Sequence, residues 1–244
     1  MTSDSPLFIE FIGSPGSGKS TIARNVVHHL KREGISCMST IEAKDVPDEL
    51  EFGLTNPMAR RVTGILKGAF YHPYISFQAY WLAASCSPLK PTNIVRGFNL
   101  VAWLHLTNQL SSRETADVLV FADSPPHVIG LLSARGQQPG EIRTRKMLSA
   151  YGCDVNRLVV YVDSPTKVCA KRVQERDTPS RFNDIEVDEA AKMMEKYRET
   201  ILNTMDIISD IGYGEILQVS GTASVEESTT KIIETVQSSD ELPT

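Results

Sequence analysis

Eight residues near the amino end, Gly13-Ser14-Pro15-Gly16-Ser17-Gly18-Lys19-Ser20, limit what this chain can fold into more than any other segment. The apolar run Leu7-Phe8-Ile9-Glu10-Phe11-Ile12 precedes them. Ile22, Val26, Val27 and Leu30 follow at helical spacing, with Gly34 as the stop. An apolar strand that turns through glycines into an amphipathic helix is the opening unit of a parallel α/β sheet. Glycines let successive backbone N–H groups point inward, and the helix that follows adds the positive end of its dipole. With a lysine and a hydroxyl at its end, the segment matches the phosphate-binding pattern G-x-x-x-x-G-K-[ST] in full. Lys19 supplies a mobile ammonium for the outer phosphates and the Ser20 hydroxyl a ligand for Mg²⁺. A chance glycine turn before a helix cap accounts for neither the full match nor both flanks. The segment, with Thr21 beside it, reads as a nucleoside-triphosphate site.

The rest of the chain supports a parallel sheet. A second strand fits 36–41, and residues 117–123 form an apolar run that ends in Asp123 and reads as a central strand buried on both faces. Residues 158–163 repeat that pattern, and 215–219 repeat it more weakly. Helices are expected at 20–33, 60–67, 77–85, 92–113, 140–151, 165–176, 187–208 and 224–238. Strands that alternate with helices call for a sheet covered on both sides. With no internal repeat and no low-complexity linker, 1–244 reads as a single domain.

Charge and composition exclude several function classes. Lys plus Arg number 25 against 30 for Asp plus Glu, a net charge of −5, which argues against a surface built to hold duplex nucleic acid. No run reaches the ~18 apolar residues that cross a bilayer, and Met1-Thr2-Ser3-Asp4-Ser5-Pro6 does not resemble a secretory signal. The expectation is a soluble cytoplasmic protein with no membrane partner. Its four cysteines, Cys37, Cys86, Cys153 and Cys169, show no ligand-like spacing and read as reduced, mostly buried thiols.

The phosphate loop alone is shared by kinases, GTPases and motor ATPases. No Asn-Lys-x-Asp base-reading segment follows a later strand, which argues against a GTPase. Asp123 is followed by Ser124, so the paired acids of a motor ATPase are missing. Arg172 and Arg176 lie four residues apart, so both guanidiniums are expected on one helical face near the helix's carboxyl end, and Arg181 lies in the proline-containing turn beyond. Such a basic segment can close over a transferring phosphoryl group and neutralise its charge. The bland alternative is a solvated face with Arg–Glu pairs to Glu175.

Taken together, these segments resemble the P-loop nucleoside and nucleotide kinases, in the thymidylate kinase branch. The matches are the loop at 13–20, Thr40-Ile41-Glu42 after the second strand, Asp123-Ser124 after the third, and the arginines at 172–181. A helix with Tyr197 follows, then Val219-Ser220-Gly221-Thr222-Ala223-Ser224-Val225-Glu226-Glu227, similar to the family's last strand, adenine-side loop and final helix. Family members usually carry Asp-Arg where this chain has Asp123-Ser124, so a rebuilt acceptor pocket is expected.

The resemblance implies a three-layer α/β P-loop fold with a five-stranded parallel sheet in the order 2-3-1-4-5. It implies ATP- and Mg²⁺-dependent phosphoryl transfer to a small acceptor, most simply a nucleoside or nucleotide, and it admits a homodimer. Lys19 and the loop amides would grip the β- and γ-phosphates, and Ser20 would hold the metal with Asp123 in its shell. Glu42 competes with Asp123 for the base, and Arg172, Arg176 and Arg181 would stabilise the transferring charge. A lid would span about 165–186 and an acceptor-side helical region about 44–115. In that region Phe70, Tyr71, His72, Tyr74, Phe77, Tyr80, Trp81, Phe98 and Trp103 could cover a base, and Arg60, Arg61 and Arg96 could hold an acceptor phosphate. Phe77, Trp81 and Trp103 also have core-like spacing. Other readings are a kinase of a sugar or other metabolite and a nucleotide-dependent regulatory NTPase.

Overall fold

The apolar runs become five parallel strands of one sheet: β1 (Leu7–Ile12), β2 (Cys37–Ser39), β3 (Val118–Phe121), β4 (Arg157–Asp163) and β5 (Glu215–Ser220). Their order is β2-β3-β1-β4-β5, as expected. The computed structural model describes residues 6–39, 116–122, 124–134, 141–152, 155–176 and 182–238, together with Leu66, Phe70, Pro73, Tyr74, Ser76 and Phe77. The helices with described bounds are α1 (Lys19–Arg32), α2 (Pro125–Ala134), α3 (Glu141–Gly152), α4 (Thr166–Gln174), α5 (Val187–Asp210) and α6 (Val225–Ser238).

β1 is central because both of its edges are taken: Ile9 lies opposite Val120 on β3 and opposite Leu158 on β4. Its alternate side chains therefore feed two cores. Leu7, Ile9 and Phe11 pack with Val26, Leu30 and Ile232, which places α1 and α6 on one face. Ile12 joins Ile129, Leu148 and Ile208, which places α2, α3 and α5 on the other. Three layers result, with the strands' carboxyl ends and the 13–20 loop on the same edge.

α2 is not among the expected helices. Ser124-Pro125-Pro126 starts it, because proline in a first turn forfeits no helical bond and its fixed φ suits the entry. Ser124 Oγ accepts the His127 N–H at 3.4 Å and donates to the Phe11 carbonyl at 3.3 Å, so one hydroxyl caps α2 and ties it to β1.

A glutamate in the middle of the buried β1 run also needs an account. Glu10 is 0 % exposed. Its carboxylate accepts from Arg157 Nε at 3.2 Å and from the Tyr213 hydroxyl at 3.2 Å. The Arg157 guanidinium lies 5.4, 5.1 and 4.6 Å from the ring centres of Phe8, Tyr151 and Tyr213. Burial pushes the Glu10 carboxyl up, while Arg157 and the tyrosine bond pull it down. The net direction is upward.

Candidate functional site

The phosphate loop takes the form its composition requires. Gly16 has φ 86°, and a Cβ there would run into the Cys169 carbonyl oxygen, so α4 packs directly on the loop's backbone. Only glycine permits both the left-handed turn and that approach. Lys19 begins α1 and is buried at 7 % exposure. Its ammonium donates to the carbonyls of Gly13 at 2.8 Å and Ser14 at 3.1 Å, which holds the side chain extended across the loop. Ser20 and Thr21 are exposed in the first turn of α1. The Thr21 N–H donates to the Gly18 carbonyl at 3.0 Å. The exposed Ser20 hydroxyl is an oxygen donor of the kind a small hard cation takes. Among the described residues no group of three or more His, Cys, Asp or Glu could hold a metal.

Three neighbours brace the loop from below. Ser164 Oγ donates to the Ser17 carbonyl at 3.1 Å. The Gly221 N–H donates to the Asp163 carbonyl at 2.6 Å. Arg172 Nη1 donates to the Gly221 carbonyl at 2.8 Å and lies 3.9 Å from where a Gly18 Cβ would sit. A side chain at Gly221 would collide with Ser164 Oγ and the Ser17 carbonyl oxygen, so the turn after β5 rests directly on the phosphate loop. Beside it, burial pushes the Cys169 thiol up, against the opposing pull of Lys19 and Arg172.

The arginine segment differs from its expected form. α4 ends at Gln174, with Glu175 as its cap, so Arg176 is off the helix and exposed. Arg172 and Arg176 therefore do not share a helical face, and Arg172 is brought against the loop. Glu175 pairs with Lys171 at 3.8 Å, an exposed contact. Glu42, Asp123 and Arg181 lie outside the described residues, as do Arg60, Arg61, Arg96, Tyr71, His72, Tyr80, Trp81, Phe98 and Trp103. Phe77 is 59 % exposed despite its core-like spacing, and Phe70 and Tyr74 are exposed with it. Cys37 and Cys169 are buried, and Cys86 and Cys153 lie outside the described residues.

Sequence reasoning missed Ser164 and the Asp163–Arg198 pair, and it placed Gly221 in the loop after the last strand without its contact to Ser17. Arg198 Nε donates to Asp163 Oδ1 at 3.2 Å. The signal for Asp163 was present, because β4 ends in a carboxylate as the 117–123 run does. Nothing in the sequence points from it to Arg198.

Several solved structures share this arrangement. The structure of deoxyadenosine kinase from M. mycoides with bound dATP is similar over 95% of this chain and 100% of that one, at 15% identity and a TM-score of 0.51. A second, with bound dCTP, covers 95% and 99% at 14% identity and a TM-score of 0.49. The fold is that of a P-loop nucleoside kinase. At this identity the likeness is one of architecture, and both of these structures are of a deoxyadenosine kinase. No protein-family model and no curated protein matches the chain. No described helix is long and apolar enough to cross a membrane.

Proposed function

We propose that this protein is an ATP- and Mg²⁺-dependent kinase that phosphorylates a nucleoside or nucleotide. One observation carries the reading: a complete phosphate loop, with Lys19 drawn across it and Arg172 against it, at the carboxyl end of a 2-3-1-4-5 sheet. In open α/β sheets ligands bind at that edge. The deoxyadenosine kinase likeness in fold and the thymidylate kinase-like motifs both favour a nucleoside or nucleotide over a sugar.

Lys19 and the amides of 13–20 would grip the β- and γ-phosphates, exchanging the loop carbonyls that now hold the ammonium for phosphate oxygens. Ser20 would hold Mg²⁺ together with the nucleotide's phosphates, with Asp123 in the metal's shell; the ion would neutralise charge on the transferring group. Glu42 would take the proton of a hydroxyl acceptor. Arg172 would stabilise the developing charge, joined by Arg176 and Arg181 in a lid at about 165–186. The acceptor would be covered by the region at about 44–115. Transfer of this kind asks little covalent chemistry of the protein, so positioning and charge supply most of the rate.

The test is ADP release by the purified full chain with ATP, Mg²⁺ and a panel of nucleosides, nucleoside monophosphates and sugars. Turnover with a nucleoside or its monophosphate supports the reading. Turnover with sugars alone, or hydrolysis that no acceptor stimulates, replaces it.

A further inference from the structure

Three consecutive residues at the end of β4 meet the phosphate loop or the turn that rests on it. The Val162 carbonyl oxygen lies 2.6 Å from where a Gly13 Cβ would sit. The Asp163 carbonyl accepts the Gly221 N–H, and the Ser164 hydroxyl donates to the Ser17 carbonyl. These contacts use main chain or a short side chain. The carboxylate of Asp163 goes elsewhere.

Asp163 Oδ1 accepts from the Tyr161 hydroxyl at 3.1 Å and from Arg198 Nε at 3.2 Å. Oδ2 accepts from Arg198 Nη2 at 3.4 Å and from Gln218 Nε2 at 3.3 Å. The arginine fork therefore engages both carboxylate oxygens, the geometry in which such pairs are strongest. The side chains of Arg198 and Asp163 are 35 % and 27 % exposed, so solvent screens the pair less than one lying free on the surface. Tyr161 is pushed up to about 12, first by burial and then by Asp163, and stays a neutral donor. One carboxylate thus joins β4, β5 and α5 at the residue whose own backbone supports the Gly221 turn.

We propose that Asp163 and Arg198 are a positioning pair for the phosphate loop. They fix the end of β4, and through Val162, Ser164 and Gly221 they fix the backbone that must match a triphosphate. The proposal rests on the kinase reading in one respect: the loop must hold a nucleotide. Neither side chain needs to touch that nucleotide. Reacting groups tolerate little displacement, and a shift of about 1 Å can cost on the order of 10² in rate, so a slack β4 end would be felt at the phosphates.

The test compares the full-length wild type with Arg198→Gln, Arg198→Lys, Asp163→Asn and the double variant Asp163→Asn/Arg198→Gln. Each is measured for ATP affinity with Mg²⁺, for KM of ATP and of the acceptor separately, and for Tm. Arg198→Gln and Asp163→Asn are expected to weaken ATP binding and raise its KM by about tenfold, an effect of the size seen for residues that orient a first-contact ligand. The acceptor KM should stay within about twofold, on the same principle that only donor contacts move. Arg198→Lys should recover most of the loss, and the double variant should be no worse than either single one, because both remove the same contact. A lower Tm with unchanged ATP affinity in the single variants would overturn the proposal and leave an ordinary structural pair. Equal losses for ATP and acceptor would overturn it too, as a general disturbance. A wild type that binds ATP but transfers nothing fails the kinase reading alone, and the affinity arm still decides the pair.

Discussion

Among the described residues two cations are buried at the sheet, and their surroundings differ. Towards the amino ends of the strands, Arg157 is enclosed: it donates to the Glu10 carboxylate and the Tyr151 carbonyl, and three aromatic rings surround it. At the carboxyl ends, Lys19 donates to two carbonyls of its own loop, in a turn that opens onto the exposed Ser20 and Thr21. The carboxylate and rings around Arg157 shut that end off, whereas Lys19 sits in a glycine turn at the sheet edge where open α/β sheets bind ligands. The first end is closed and serves the fold; the second is open. Burial alone does not separate the two; what each end opens onto does.

That contrast can be broken or sharpened by mutation. The largest effect is expected at the closed end. Arg157→Ala leaves Glu10 buried without its cation and should cost about 3–5 kcal/mol in urea denaturation, the usual size for breaking a buried pair. Whatever folded protein remains should keep its ATP affinity. A stable variant that had lost ATP binding would mean the two ends are not separate.

Next comes the open end. Arg172→Ala should lower kcat by on the order of 10²–10³ with a smaller change in ATP affinity, as for one lost electrostatic donor. Arg176→Ala should do less, because Arg176 lies beyond the helix and is exposed. Steady-state rates of the two variants side by side settle the order, and equal losses would restore a shared role.

A smaller effect concerns pH. Burial holds the Glu10 carboxyl above its ordinary value of 4.5 in the folded protein. Its contribution to stability is therefore complete below about 4.5 and is lost as pH rises through the elevated folded value. Glu10→Gln should flatten that part of the stability profile. Unfolding midpoints of both proteins from pH 4 upward test this, and parallel profiles would mean that Arg157 offsets the burial completely.

The smallest effect lies within the loop. Ser17 Oγ is buried and has no hydrogen-bond partner among the described residues. Ser17→Ala should gain roughly 1 kcal/mol, since a buried hydroxyl without a partner costs about 1–3 kcal/mol. A loss in thermal unfolding would show that the hydroxyl has work to do.

The part of this architecture that depends on contiguous residues could be read from the sequence. The loop at 13–20, its flanking strand and helix, and the run at 158–163 are local patterns, and the strand order followed from the resemblance. Contacts between distant segments could not. Glu10 meets Arg157 across 147 residues, and Asp163 meets Arg198 across 35, and neither pair leaves a spacing to recognise. Gly221 looks like any turn glycine until the β4–β5 register places it on Ser17. α2 went unread because two prolines suggest a break, although they open a helix well when a serine caps it. Arg176 was misplaced because four-residue spacing implies a shared face only while the helix lasts, and α4 stops at Gln174.

The most direct test of the central claim is transfer of labelled γ-phosphate from ATP to a nucleoside or nucleoside monophosphate, by the wild type and by Lys19→Ala. Removing the ammonium should lower transfer by on the order of 10³ or more, because it takes away a charge aimed at the phosphates. The unfolding temperature should hardly move, since the ammonium lies on the phosphate loop and takes no part in the apolar core. Undiminished transfer by a folded Lys19→Ala protein would contradict the account.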